Sequence, residues 1–245
     1  PFQSGILDKT VPANLKDADD YWYGLSQRAR TIFYAKGRVE PTQLTSYEGL
    51  ADSQWKGRIC ARSSNNIYNQ SLVASMIEVK GLKQTEEWVR GLVANFARPP
   101  FGGDTDLLKA TAAGVCDLTL ANTYYFGRLL SSGNAKDTEV AAKLAVFWPN
   151  QQEGERGVHV NVSGAGVTAA AAHKENAVRL IEFLTSTESQ VWYAEVNNEY
   201  PVREGTPSSE ALVSLGEFRA DDLVLSKLGE NNRAAVEIMD RAGWK

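Results

Sequence analysis

The 245 residues carry a net charge of −4, with 43% hydrophobic and 23% charged residues, an ordinary globular composition with enough chain for one large domain or two lobes. No apolar run approaches the ~18–20 residues that span a bilayer, and no basic stripe appears, so neither direct membrane insertion nor a nucleic-acid partner is expected. The chain opens at Pro1 with neither Met nor a signal-peptide pattern, as a processed, trimmed or partial product would. Cys60 and Cys116 are too few for a disulfide scaffold; spacing alone leaves open one bridge in an oxidising compartment or two buried thiols.

From residue 31 onward, short apolar runs alternate with helical patterns, which predicts an α/β protein with parallel strands. Residues 30–35 read as a strand, 41–49 as a loop and 58–61 as a short strand followed by the polar loop 63–66. A helix is predicted from Ile67 to Val79, with Leu72, Val73, Met76 and Ile77 on one face and Gly81 at its end. Thr85 is the expected N-cap of the next helix, whose stripe is Trp88, Val89, Leu92, Val93 and Phe96 before Pro99 and Pro100 stop it. Asp104 is then expected to cap a helix closed by Gly114. A strand over 115–121 leads through Asn122 and Thr123 into a helix to Leu130, and Ser131–Asn134 breaks the pattern. Residues 158–162 read as a strand, about 174–184 and 188–196 as helices, and 200–202 as extended. The tail from Ala220 to Trp244 reads as largely helical with a break at Gly229.

Tyr124 and Tyr125 are adjacent, directly after a predicted strand. In a helical first turn they stand only ~100° apart and can converge on one point, whereas on a strand they would diverge. Tyr68 has the same setting: strand, polar loop, first helical turn. Ligands of open α/β sheets bind beyond the carboxyl ends of the strands, so both junctions deliver phenols toward one edge. Helix N-termini favour anions, and a highly charged cation holds a phenol ionised despite its ordinary pKa near ~10. Hard cations take hard oxygen donors, and ferric iron is the biological cation suited to several phenolates. Zinc or copper would call for His or Cys, yet His159 and His173 lack metal-binding spacing and no CxxC occurs. Tyrosines more commonly pack against cores with the hydroxyl at the surface, so a Tyr-Tyr pair is a weak signal by itself.

The segment Asn122-Thr-Tyr-Tyr-Phe-Gly-Arg-Leu129 resembles the double-tyrosine motif of bacterial periplasmic ferric-binding proteins. Residues 58–72 resemble the segment that supplies a third tyrosine in the tyrosine-rich branch, and 21–30 the stretch entering the interlobe hinge. Residues 163–167, 183–190 and 199–202 resemble later parts of the same pattern, in the same order. The resemblance implies a class II periplasmic-binding-protein-like fold, two lobes with a ligand cleft. One lobe takes residues 1–30 and 155–205 and is incomplete; the other takes 31–154 and 206–245. It implies Tyr68, Tyr124 and Tyr125 as Fe(III) ligands. Arg28 is the implied contact for a synergistic anion such as carbonate, with Arg30 as fallback, and Asn122 and Ser63 line the anion side. In the family, roughly the first quarter of the chain, with further ligands from the opposite lobe, precedes the hinge stretch and is not in this sequence. An oxidising periplasm favours a Cys60–Cys116 bridge. The expected partner is the inner-membrane permease of an ABC importer, approached by a monomer. One rival reading is a tyrosine cage for an organic cation. An enzyme is not expected, because no Ser/His/Asp or Cys/His set, metal-hydrolase motif or phosphate-binding glycine loop is present.

Overall fold

A single long strand, β1 (Tyr23–Ala35), organises the sheet in the computed structural model, which describes residues 1–245. A short helix, α1 (Gly5–Thr10), precedes it. The other strands are β2 (Ile59–Cys60), β3 (Leu118–Asn122), β4 (Leu144–Phe147), β5 (Val160–Ala165) and β6 (Tyr200–Pro201). The first half of β1 pairs antiparallel with β5, from Tyr23 opposite Ala165 to Ala29 opposite Val160, and with β6 at Ser26 and Gln27. Its second half pairs antiparallel with β3, starting at Arg30 opposite Asn122, and with β4. The expectation of parallel strands is corrected: only β2 and β3 run parallel. Alternation of apolar runs with helices signals layers but not strand direction, because β1 returns through long connections to antiparallel partners.

Alternate residues of β1 serve two cores, as the two-residue strand period requires. Ile32 and Tyr34 join a cluster with Leu72, Met76 and Leu92 of the long helix α2 (Ile67–Ala94), whereas Phe33 and Ala35 join Leu108, Phe126 and Leu129. Helices therefore cover both faces. Those of the second cluster are α3 (Asp104–Ala112), α4 (Thr123–Ser131) and α5 (Ala135–Ala142). Toward β5 and β6 lie α6 (Lys174–Leu184) and α7 (Thr187–Asn197), whereas α8 (Glu210–Val213) packs on α4 in the second cluster. The tail forms α9 (Ser226–Glu230) and α10 (Asn232–Arg241), which pack on α2. Residues 220–225 are not helical and the break falls at Asn231, not at Gly229.

Gly81 does interrupt α2, with φ of 79° and ψ of 168°, angles that a glycine takes at no steric cost. Thr85 is no cap: it lies fully buried inside the helix, its Oγ1 without a partner. Asp104 is no cap either. Gly103 holds that position, Asp106 accepts from its N–H at 2.8 Å, and Asp104 turns inward as a fully buried carboxylate. Cys60 and Cys116 are joined in a disulfide that ties the end of β2 to the turn before β3.

Candidate functional site

β2 and β3 are the parallel pair, so their carboxyl ends lie side by side. After β2, the loop 61–66 ends at Asn66, whose side chain accepts from the Tyr68 N–H at 3.1 Å and starts α2. After β3 the chain passes directly into α4, with Asn122 at the cap and Tyr124 and Tyr125 in the first turn. The structure brings all three phenols together. Tyr124 Oη donates to Tyr68 Oη at 3.1 Å, and the Tyr124 and Tyr125 rings lie 4.2 Å apart between centroids. Tyr124 is buried, whereas Tyr68 and Tyr125 are half-buried. Burial, and then the neighbouring phenols of Tyr125 and Tyr68, push the Tyr124 pKa far above the usual tyrosine value.

Four guanidinium groups surround these rings. The Cζ atoms of Arg28, Arg30 and Arg62 lie 5.8, 6.0 and 5.9 Å from the Tyr68 ring centre. Arg128 lies 5.0 Å from Tyr124 and 5.9 Å from Tyr125. Arg62 and Arg128 were not among the residues expected from sequence. The signal for Arg128 was its spacing, four residues beyond Tyr124 and thus on the same helical face; Arg62 carried none.

The expected anion side divides in two. Arg28 donates to Ser163 Oγ at 2.6 Å, lies 3.8 Å from Glu199, and keeps a buried Nε without a protein partner. Arg30 is 2% exposed and engaged through both terminal nitrogens: it donates to Asp104 Oδ2 at 2.9 Å, Asn122 Oδ1 at 3.1 Å, Asn69 Oδ1 at 2.6 Å and the Leu120 carbonyl at 3.3 Å. Asn122 is buried in the same network, its N–H donating to Asp104 Oδ2 at 2.9 Å. Ser63 stands in the loop before Tyr68, where its carbonyl accepts from Asn69 Nδ2 at 3.1 Å.

The model of the family described as bacterial extracellular solute-binding protein matches residues 4–220. The chain belongs to this family. Among its relatives, the solute-binding chain is 50% identical to iron uptake protein A1 of Synechocystis over 245 residues, all of this chain and 68% of that protein. It is 45% identical to iron uptake protein A2 of the same organism, covering 71% of it. The solute-binding fold superposes on Trichodesmium FutA (IdiA) in complex with iron and citrate ligands with a TM-score of 0.97 and 48% identity, over all of this chain and 77% of that one. Ferric binding protein from Campylobacter jejuni gives 0.94 and 36%, over 100% and 77%. The expected periplasmic-binding-protein-like α/β fold is thus borne out, and these solute-binding relatives are named for iron uptake and ferric binding, not for a reaction.

Proposed function

We propose that this chain binds ferric iron through the phenolates of Tyr68, Tyr124 and Tyr125 in an interlobe cleft and hands it to the permease of an ABC importer in the periplasm. One observation carries the reading: two separate strand-to-helix junctions bring the three phenols into one cluster, with the Tyr68 and Tyr124 oxygens 3.1 Å apart. Such closeness is unfavourable for ionised phenols alone, and a trivalent cation between them removes the penalty by holding the oxygens charged. The relatives' names and the iron-and-citrate complex of a 48% identical protein point the same way.

Three phenolates neutralise one ferric ion, leaving the positive charge of the surrounding arginines for an anion. Arg28 and Arg30 each keep a buried Nε without a partner, but both terminal nitrogens of Arg30 already donate to protein groups, so carbonate or citrate is expected against Arg28, with Ser63 and Asn122 as further candidates to line the anion. The same arginines oppose the cage reading, because an organic cation would meet four guanidinium groups around the rings.

The lobes follow the change of partners on β1. We assign residues 1–30 and 155–205 to the lobe built on the β5–β6 pairing and 31–154 with 206–245 to the lobe built on the β3–β4 pairing. Binding between them would draw the lobes closed, the form a permease would recognise.

Titration with ferric iron and carbonate, followed through the visible range, tests the reading. A broad phenolate-to-iron band is expected in the parent and not in Tyr124→Phe/Tyr125→Phe. A colourless parent at saturating ferric iron would overturn it.

A further inference from the structure

Arg30 lies where every segment of the candidate site meets. It stands opposite Asn122 in the β1–β3 register, so its side chain emerges beside the cap of α4. One guanidinium nitrogen reaches Asn122 Oδ1 and Asp104 Oδ2; the other reaches Asn69 Oδ1, the side chain next in sequence to Tyr68. Asn69 in turn donates through Nδ2 to the Arg62 and Ser63 carbonyls at 3.0 and 3.1 Å, holding the loop that enters α2. Asp104 fastens the other junction through the Asn122 N–H. A single planar fork therefore joins the junction that carries Tyr68 to the one that carries Tyr124 and Tyr125.

Stability alone does not account for this arrangement. A buried ion pair costs several kcal/mol of desolvation per ion and often stabilises no better than a well-packed apolar pair. Here Arg30 Nε and Asp104 Oδ1 are also buried without hydrogen-bond partners. What the pair provides is geometry: the fixed spread of a guanidinium, which a lysine cannot reproduce.

We infer that Arg30, charge-balanced by Asp104, is a positioning residue that sets the separation of Tyr68 from the Tyr124–Tyr125 pair through Asn69 and Asn122. The inference rests on the ferric-phenolate reading above. It also replaces the fallback expectation that Arg30 contacts an anion, because both its terminal nitrogens already donate to protein groups.

Two variants test it with ferric citrate as the probe. Asn69→Ala removes the link beside Tyr68 while keeping the buried pair, and Arg30→Met/Asp104→Leu removes the fork and its charge partner together, leaving only the partly exposed Arg62, 3.6 Å from Asp104, without its carboxylate. Each is compared with the parent and with Tyr124→Phe/Tyr125→Phe for its visible band, iron affinity and thermal transition. Losing a hydrogen bond to a charged group should weaken ferric binding about ten-fold or more and displace the band maximum, with the Asn69→Ala transition lowered by several degrees but still cooperative. A folded Asn69→Ala protein with the parent's band and affinity would overturn the positioning role while leaving the ferric reading intact. A parent without any band would overturn the ferric reading itself, and this inference with it.

Discussion

Tyr124 keeps its proton more firmly than an ordinary tyrosine, because the fold buries its hydroxyl against two other phenols. In the proposed ferric site, loading would displace that proton, so iron affinity should fall as pH falls. Potentiometric measurement of proton release during ferric loading checks this, and Tyr124→Phe should release fewer protons. His159 makes a separate prediction for stability. Its imidazole is buried against Ser71 Oγ at 2.9 Å, and burial, then Arg156 and Arg30, push its pKa well below the usual value. Above about pH 6.5 both folded and unfolded chains hold it neutral; below that, only the unfolded chain takes up the proton, and stability declines. Urea unfolding at about pH 7 and about pH 5 should show this loss in the parent and a smaller one in His159→Gln, which cannot be protonated. The phenol cluster was legible because adjacency and a strand-to-helix junction are local properties. Arg30 stands in the sequence only as a fallback to Arg28 for an anion, because nothing local shows that Asp104, 74 positions on, folds beneath it.

The two tyrosine-bearing junctions share a clamp. Cys60 and Cys116 each precede a tyrosine by the same interval, and their bond joins the β2 end to the turn before β3. Closing a loop across a separation of 56 residues restricts the unfolded chain by about 4 kcal/mol in the chain-entropy model. Cys60→Ser/Cys116→Ser should therefore lower the thermal midpoint by several degrees, read by circular dichroism, and leave the far-ultraviolet spectrum helical. Most helices were legible: α6 begins and ends where the spacing places it, and α2 breaks at Gly81 as expected. Other elements were hidden for physical reasons. The first half of β1 is interrupted by Ser26, Gln27 and Arg28, whose polar groups find Glu199, Pro201 and Ser163. α5 shows only Ala141 fully buried, and β4 is four residues long, too little pattern to stand out. Thr85 and Asp104 have the chemistry of caps, but tertiary burial overrode it.

At the scale of the whole molecule, the proposed lobes share one strand instead of a flexible linker. Iron-driven closure would then shrink the particle without changing its secondary structure. Small-angle scattering should show a smaller radius of gyration on ferric loading of the parent and no change in Tyr124→Phe/Tyr125→Phe; equal values for both would argue against closure. Along β1, Arg28 and Arg30 are two residues apart and so lie on the same face, yet they belong to different ladders. Arg28 travels with β5 and β6, Arg30 with β3. The side chains that tie the phenol junctions together thus come from the second ladder, while Arg28, held by Ser163 and Glu199, approaches Tyr68 from the first. Under the proposed reading, unloading would have a natural order: a receiver that levered the first ladder away would withdraw the anion's anchor before any phenolate had to move, and would leave the metal on an exposed half-site from which competition could take it.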